Sequence, residues 1–313
     1  MFEGGFIGIN FLVFVGAYAF LQFLIDNLKS PFEILCSLIC RRNKPLSERY
    51  GKWAVVTGSS DGIGKEYAKN LARKGMNLVL ISRTASKLER LAKDLRDKFG
   101  VEVKCLPVDF GEGPHIYDGI RKELAGMDIG ILVNNVGILH SHPVAFESLA
   151  MHEIEQTIAI NVCSTVKLIH MVLPEMKLRR RGIVINISSS SGFAAIPYMQ
   201  TYSSSKVFVN FLTLSLQQEL RGTGVECQLV TPMLVNTNLS LKWRKVQYWN
   251  LVSVGVRPYA RMAVWLIGRT TFTSGHWYHG IQITLFKIPP AWLITRILAV
   301  LPKWLLTRSN ISF

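Results

Sequence analysis

The sequence predicts an α/β protein built on a doubly wound parallel sheet, with an N-terminal transmembrane anchor and a hydrophobic C-terminal extension. Between about residues 53 and 230, short β-rich apolar runs alternate with amphipathic stretches at helical spacing. Strands separated by helices pair in parallel through right-handed crossovers, which produces such a sheet. The chain has 313 residues, of which 49% are hydrophobic, and much of that excess lies near the two ends.

The N-terminal segment 6–25 is apolar apart from Asn10 and Gln22. Twenty helical residues at ~1.5 Å each reach ~30 Å, enough to cross the hydrocarbon core of a bilayer. A basic cluster at 41–44 follows, so the rest of the chain is expected to face the cytoplasm. A cleaved signal peptide is the alternative, but the apolar run is long and lacks a basic start and a small-x-small site.

Six strands are predicted in the middle of the chain, at residues 53–56, 77–82, 101–108, 129–134, 182–187 and 225–230. The first strand leads into a helix that runs to about Lys74, where Gly75 acts as a C-cap. The second leads into a helix with Leu88, Leu91 and Leu95 at helical spacing.

A glycine-rich turn joins the first strand to its helix. Glycines lack Cβ, so they let the turn be tight and bring backbone N–H groups against a pyrophosphate at the helix N-terminus. The pattern alone is weak, but its place at the start of a βαβ unit is the required context. The predicted dinucleotide-binding residues of this turn are Gly58, Ser60, Asp61, Gly62, Ile63 and Gly64.

The end of the second strand predicts which dinucleotide binds. An NAD enzyme places a carboxylate there to hold the ribose hydroxyls, whereas this chain has Arg83. Arg83, with Lys87 one helical turn later, can pair with a 2′-phosphate. We therefore predict NADP(H) as the cofactor. Asp109, after the third strand, is expected to accept a hydrogen bond from the adenine amino group.

Tyr202 and Lys206 are four residues apart, so on one helix both project from the same face. A phenol with a pKa near ~10 is a poor acid–base catalyst at neutral pH. An ammonium neighbour and an oxidised nicotinamide would stabilise the phenolate and lower that pKa. Ser189, just past the fifth strand, is expected to hold the substrate oxygen, and Asn161 to brace a water that connects Lys206 to solvent.

In order and spacing, these motifs resemble the short-chain dehydrogenase/reductase family over roughly residues 50–240. The resemblance implies a Rossmann-type fold and a catalytic tetrad of Asn161, Ser189, Tyr202 and Lys206. It implies that Tyr202 protonates the carbonyl oxygen as hydride arrives, that Ser189 positions this oxygen, and that Lys206 holds the nicotinamide ribose. Further cofactor contacts are expected from Asn135, Val235 and Thr237.

A finer resemblance, in residues 53–58, 61–65, 80–83 and 130–137, is to the very-long-chain 3-oxoacyl-CoA reductase and 17β-hydroxysteroid dehydrogenase (types 3 and 12) branch. It implies NADPH-dependent reduction of a lipid ketone at the endoplasmic reticulum membrane, on a 3-oxoacyl-CoA of fatty acid elongation, a 17-ketosteroid or both. It also implies that a homodimer can form through the helices after strands four and five. Two features depart from the branch: Met233 replaces a frequent glycine, and the C-terminus lacks a dilysine signal.

Residues 273–279 resemble a hydroxysteroid dehydrogenase-like sub-branch, some members of which are catalytically silent and mitochondrial. The alternative function is therefore a silent dinucleotide-binding membrane scaffold, and the alternative location is the mitochondrion. Silent members of that sub-branch replace the tyrosine, whereas Tyr202 is present here.

The C-terminal region is hydrophobic at 265–286 and 292–306 but is interrupted by prolines and basic residues. We expect an interfacial membrane segment, without excluding a role in the substrate-domain core. The predicted organisation is an anchor and basic linker at 1–45, an NADP-binding catalytic domain at 50–240, and a substrate loop with the membrane-associated segment at 241–313.

The net charge of +15 is compatible with nucleic acid, an anionic membrane or an anionic substrate as a partner. The sequence has no DNA-binding motif and no basic stripe interleaved with aromatics, so nucleic acid is not expected. The basic run 177–181 is interpreted as the solvated end of a helix. His140 and His142 lack a third ligand, so no metal site is predicted. Five cysteines without a CxxC pair indicate a reducing compartment.

Overall fold

The computed structural model describes residues 10–25, 44–140, 143–241 and 252–308. In chain order, its helices and strands are α1 Asn10–Ile25, α2 Leu46–Tyr50, β1 Trp53–Thr57, α3 Gly62–Arg73, β2 Asn77–Ser82, α4 Ala85–Phe99, β3 Val103–Pro107, α5 Ile116–Leu124, β4 Ile129–Asn134, α6 Met151–Ile158, α7 Ser164–Leu178, β5 Gly182–Ile187, α8 Gln200–Glu219, β6 Val225–Val230, β7 Val235–Asn236, α9 Asn238–Leu241, β8 Val254–Gly255, α10 Val256–Trp265, β9 Phe272–Thr273, α11 Trp277–Lys287 and α12 Ala291–Arg308.

Seven parallel strands form the central sheet in the order β3-β2-β1-β4-β5-β6-β9. The order reverses between β1 and β4, so their carboxyl ends border the crevice in which open α/β sheets bind ligands. The predicted doubly wound α/β sheet and all six predicted strands are confirmed, although β3 is shorter than expected. The sequence did not predict β9 or the small β7–β8 pair, because strands of two residues carry no periodic signal.

Both faces of the sheet are covered, as buried parallel strands require. Ala54 and Val56 of β1 point into one apolar cluster, which α3, α4 and α10 complete. Val55 points to the opposite face, where α5 and α7 pack. Successive residues of one strand thus serve two cores, since side chains alternate across a strand.

The amino-terminal edge of the sheet is held by α2, which the sequence did not predict. Arg49 forms an ion pair with Glu226 of β6, and the Tyr50 hydroxyl donates to the same carboxylate at 3.0 Å. The backbone of α2 passes so close to β4 that a Cβ on Gly130 would lie 2.5 Å from the Tyr50 carbonyl carbon. This packing fixes where the chain enters the domain.

The interpretation of the run 177–181 as a solvated helix end is wrong for two of its arginines. The Arg179 guanidinium lies 3.3 Å from Asp128 and donates to the Ile129 carbonyl at 2.8 Å. Arg181 donates to the same Asp128 carboxylate at 3.0 Å. These arginines therefore tie the loop before β4 to the loop before β5.

Three apolar helical regions bear on the membrane prediction. Asn10–Ile25 is apolar and exposes side chains such as Phe11 and Phe14, whereas residues 6–9 and 41–43 lie outside the described residues. Met151–Leu178 is long and apolar enough to cross a membrane, but 44% of its most apolar stretch is buried inside the protein, because α7 packs on the sheet. The helices α11 and α12 together pass the same test with a 105° bend between them.

The C-terminal extension divides into a core part and an exposed part. Tyr259 and Ala263 of α10 are fully buried, so the beginning of the extension belongs to the core. In contrast, α11 exposes Trp277, Ile281 and Leu285, each by more than half of its surface. The core interpretation therefore holds for the beginning of the extension, and the interfacial membrane segment stays a prediction.

We expect Gly130→Ala to destabilise the protein by about 3 kcal/mol or more, the upper end of overpacking costs, because the added methyl meets backbone that cannot rotate away. Gly119→Ala is the matched control: it lies in the exposed interior of α5 with open space around it. It should stabilise by about 0.5–1 kcal/mol. Thermal unfolding of the detergent-solubilised full-length chain measures both, and similar melting temperatures for the two variants would contradict the packing described here.

Candidate active site

The turn after β1 requires glycine at two positions. Gly58 adopts a φ of +62°, which disfavours any side chain. A Cβ on Gly64 would lie 2.4 Å from the Gly58 carbonyl oxygen, closer than any real contact. The turn is therefore as tight as the sequence predicted, and its backbone N–H groups lie at the N-terminus of α3.

The end of β4 braces this turn. The Asn135 side chain donates to the Thr57 carbonyl at 2.9 Å, and the Thr57 hydroxyl accepts from the Asn135 backbone at 2.9 Å. Next to it, the Asn134 amide donates to Asn186 of β5 at 2.8 Å. These two asparagines therefore tie the end of β4 to the neighbouring strands β1 and β5.

The ends of β2 and β3 bring three predicted residues together. Arg83 is 67% exposed at its side chain and lies 3.7 Å from the Asp109 carboxylate, an ion pair that the sequence did not predict. Lys87 is exposed on the first turn of α4. The Ser60 and Ser82 hydroxyls, 2.7 Å apart, link this edge to the glycine turn. A positive side chain thus stands at the rim of the turn, within reach of an approaching anion.

Of the other residues predicted to contact a cofactor, some face the turn and others face the core. Asp61 accepts from Gly62 N at 2.7 Å, which caps α3, and it also binds the Asn238 side-chain amide. The Thr237 methyl would touch a Cβ placed on Gly62, at 3.3 Å. The side chains of Val235 and Ile63 pack in the apolar core, so only their backbones can face a ligand.

Tyr202, Ser189 and Lys206 meet at the carboxyl edge of the sheet. The Ser189 and Ser191 side chains lie beside the Tyr202 hydroxyl and act to lower its pKa. The Lys206 amine lies 5.7 Å from the Tyr202 ring centre and donates to the Ile187 carbonyl at 3.1 Å. A Cβ on Gly137 would lie 3.5 Å from that amine, so the end of β4 approaches it closely.

The direction of the Tyr202 pKa differs from the expectation. Burial raises the pKa of the Tyr202 phenol, and the Ser189 and Ser191 side chains beside it oppose this rise only in part. The Lys206 amine is itself almost fully buried, and desolvation lowers its pKa to about 8. In the chain alone the Tyr202 pKa is therefore raised, and the lowered pKa expected beside an oxidised nicotinamide stays a prediction.

Asn161 lies in a π-helical segment, Ala159–Cys163, between α6 and α7. Its side-chain oxygen accepts from Ile138 N at 2.8 Å, and its amide donates to the Ile138 carbonyl and to the Ser205 hydroxyl, both at 3.1 Å. Both amide hydrogens are thus engaged by the protein. Asn161 fixes the loop after β4 against α8, a contact that the sequence did not predict, and its role toward a water stays a prediction.

A cavity of about 500 Å³ lies next to the first residue of α8, the helix that carries Tyr202 and Lys206. His140 borders the same loop region and its Nε2 lies 2.9 Å from the Thr201 hydroxyl, whereas His142 lies outside the described residues. Tyr198, four residues before Tyr202, lines the cavity with a left-handed φ of +65°. The cavity is lined by Ala145, Phe146, Glu147, Pro197, Tyr198, Gln200 and Ala299. No sequence motif identified these residues, because they come from separate loops and from α12.

Comparison with known proteins places this geometry in a family. The family model described as short chain dehydrogenase matches residues 52–247. The very-long-chain 3-oxoacyl-CoA reductase of Mus musculus is 37% identical over 96% of this chain and 95% of its own length. The inactive hydroxysteroid dehydrogenase-like protein 1 of Homo sapiens is 36% identical over 79% and 75%.

Among solved structures, a short-chain dehydrogenase from Sphingobium yanoikuyae in complex with NADPH is 29% identical. It matches 83% of this chain and 96% of its own, with a TM-score of 0.65. The extent of these matches is sufficient to identify the family, and the chain is an oxidoreductase that belongs to the short-chain dehydrogenase/reductase family.

Proposed function

We propose that this protein is an NADPH-dependent reductase of a lipid ketone, a 3-oxoacyl-CoA in fatty acid elongation, a 17-ketosteroid or both. One observation carries the proposal: the Tyr202 phenol lies beside the Ser189 side chain and near the buried Lys206 amine. The murine relative is a very-long-chain 3-oxoacyl-CoA reductase by name, which supports an acyl-CoA substrate.

The chain's own residues fit a dinucleotide phosphate. The cradle at Gly58 and Gly64 leaves no room for a Cβ, and the exposed Arg83 guanidinium stands at its rim. Glycine turns of this kind receive a pyrophosphate, and arginine pairs with a 2′-phosphate. Bound NADPH would supply the hydride for the reduction.

The proton is assigned to Tyr202. Its raised pKa keeps the phenol protonated at neutral pH, so the proton is available, and positive charge beside the phenol would lower that pKa toward the working range. The Ser189 side chain, which lies beside this phenol, would hold the same substrate oxygen. Lys206, whose pKa of about 8 leaves it mostly charged at pH 7, supplies positive charge beside both.

A lipid substrate is supported by the cavity and by the membrane-facing character of the C-terminal helices. Phe146, Pro197, Tyr198 and Ala299 give the cavity a largely apolar wall. Ala299 belongs to α12, so the helix that exposes apolar side chains outward also borders the cavity inward. A substrate that partitions into a bilayer would reach such a site over a short path.

We assign α11 and α12 to the surface of a membrane. Trp277, Ile281, Leu285 and Ile288 follow one helical face and all are more than half exposed. Glu226 is the last acidic residue of the sequence, and every later charged residue is Lys or Arg. An apolar face flanked by basic residues is typical of helices that lie on anionic bilayers.

The remaining assignments follow from the same features. The exposed apolar helix Asn10–Ile25 supports an N-terminal anchor, with the catalytic domain on the cytoplasmic side. The endoplasmic reticulum is the location that we infer, and the mitochondrion is the alternative. The exposed Phe211 on α8 supports contact with a second copy of the chain.

A catalytically silent scaffold is the second candidate. It is favoured by the human relative, hydroxysteroid dehydrogenase-like protein 1, whose name describes it as inactive. The presence here of Tyr202, in contact with Ser189, argues for the enzyme. A single assay distinguishes the two candidates: in the presence of a ketone, the solubilised enzyme would oxidise NADPH and a silent scaffold would not.

We expect the parent protein to oxidise NADPH with a long-chain 3-oxoacyl-CoA or with estrone, and Tyr202→Phe to reduce kcat by about 10²–10⁴-fold, because the proton donor is lost. NADPH affinity should change little, since the ring remains. Tyr198→Phe is the control, because it removes a hydroxyl from a neighbouring cavity residue. If Tyr202→Phe turned over as fast as the parent, Tyr202 would not be the acid.

We expect Arg83→Ala to lower the preference for NADPH over NADH by about 10- to 100-fold, since a hydrogen bond to a charged group is worth about 1.5–3 kcal/mol. Arg90→Ala removes the same charge from an exposed position on α4 and serves as the control. Steady-state kcat/KM with each cofactor measures the preference. An unchanged ratio in Arg83→Ala would assign the 2′-phosphate to another residue.

We expect Ile281→Cys to react at least about tenfold more slowly with a membrane-impermeant maleimide than Leu178→Cys, because its side chain would lie in the lipid. Both variants are made in a cysteine-free full-length chain reconstituted in phosphatidylcholine–phosphatidylserine vesicles. Leu178 is 78% exposed at the end of α7 and controls for accessibility. Equal labelling rates would remove α11 from the membrane surface.

A further inference from the structure

The inward side of α11 carries two side chains that hold backbone carbonyls elsewhere in the chain. His279 Nε2 lies 3.3 Å from the Leu234 carbonyl oxygen, and the Gln282 amide donates to the Val252 carbonyl at 2.9 Å. The two residues are three apart, so they share one face of the helix. One helix face therefore holds two segments that are distant in sequence.

His279 is held in one orientation. It is fully buried, with its ring centre 5.4 Å from that of Tyr259 and 6.0 Å from that of His276. Burial is the main reason why its pKa falls to about 4, so the imidazole is neutral at physiological pH. A carbonyl oxygen can only accept, and Nε2 therefore carries the hydrogen that it donates to Leu234.

Leu234 lies in a segment, residues 231–241, that we call the strap. Thr231 N donates to the Thr273 carbonyl at 2.8 Å, and the Leu234 carbonyl also accepts from Val254 N at 3.0 Å. Three residues beyond Leu234, the Thr237 methyl lies against Gly62 of the glycine turn, and the next residue, Asn238, binds Asp61. The strap thus runs from the sheet edge, past His279, onto the turn.

Leu234 is held at the middle of this path. The contacts at Thr231 fix the beginning of the strap, and just beyond Leu234 the strap pairs with β8 through Val235 and Asn236. Without the His279 donor, the Leu234 carbonyl keeps one partner, Val254 N, which itself belongs to the segment that Gln282 holds. The position of the strap on the glycine turn therefore depends on α11.

We propose that His279 is a positioning residue that holds the strap against the glycine turn and thereby sets the affinity for the dinucleotide, with Gln282 in a supporting role. The proposal rests on the proposed function, since it requires that the turn bind NADPH. His279 is not among the partners of Tyr202, Ser189 or Lys206, so the chemical step at saturating cofactor is unaffected by its loss.

The test compares two amides in place of the imidazole, in the full-length solubilised protein. His279→Gln places an N–H near the position of Nε2, whereas His279→Asn places its amide near Nδ1 and cannot reach Leu234. We expect His279→Asn to weaken NADPH binding about 5- to 10-fold, the effect of one lost hydrogen bond. The NADPH affinity of His279→Gln should stay within about twofold of the parent value. The kcat at saturating NADPH should be unchanged in both variants.

His170→Gln, at an exposed position on α7, controls for the substitution itself. NADPH affinity is measured by titration calorimetry, alongside kcat and KM for each substrate. If the parent protein did not bind NADPH, the proposed function would fail. If the parent bound NADPH and His279→Asn bound it equally well, or if His279→Asn lowered kcat without changing the affinity, the role of His279 would be overturned instead.

Should His279→Asn fail to fold, Gln282→Met decides the question, because it removes only the bond to Val252 at the partly exposed end of the same face. We expect it to weaken NADPH binding about two- to threefold, less than a full hydrogen bond, with kcat unchanged. Unaltered NADPH binding in a folded Gln282→Met would overturn the proposal.

Discussion

The arrangement of the candidate site depends on a buried amine. Lys206 is 4% exposed, and its described hydrogen-bond partner is one backbone carbonyl, that of Ile187. Desolvation that reduces its pKa from 10.5 to about 8 corresponds to roughly 3 kcal/mol of unfavourable free energy for the charged form. The fold tolerates this cost because β4, β5 and α8 close around the amine, and the same closure places the Tyr202 phenol, the Ser189 hydroxyl and the end of β4 within one small volume.

The sequence predicted what depends on neighbours along the chain. Six strands had clear periodicity, and the spacing of Tyr202 and Lys206 on one helix placed both at the same edge of the sheet. Properties that arise from contacts between distant segments could not be predicted from the sequence. The pairing of Arg83 with Asp109 needs adjacent strands, and the burial of Val235 needs the β7–β8 pair. Likewise, the raised Tyr202 pKa needs the surrounding protein, since spacing alone reveals a charged neighbour but not its desolvation.

The two faces of helix α11 lie in different environments, one exposed and one packed against the protein. Its outward face exposes Trp277, Ile281 and Leu285, while its inward face presents His279 and Gln282 to backbone carbonyls. A helix whose two faces are both specified cannot rotate or slide without breaking one set of contacts. The contacts of His279 and Gln282 therefore hold α11 in place although its outward face is apolar and exposed.

The cost of the buried amine also distinguishes an enzyme from a silent scaffold. A scaffold needs the glycine turn and an apolar surface, and both would persist if an uncharged side chain of similar size replaced Lys206. Such a replacement would even remove the desolvation cost, since buried charges are often less stable than well-packed apolar groups. Lys206 nevertheless points at Gly137, beside the phenol of Tyr202 and not toward solvent. A charge kept at a position where it destabilises the fold is expected where it acts on a reacting group, and the phenol is the group within its reach.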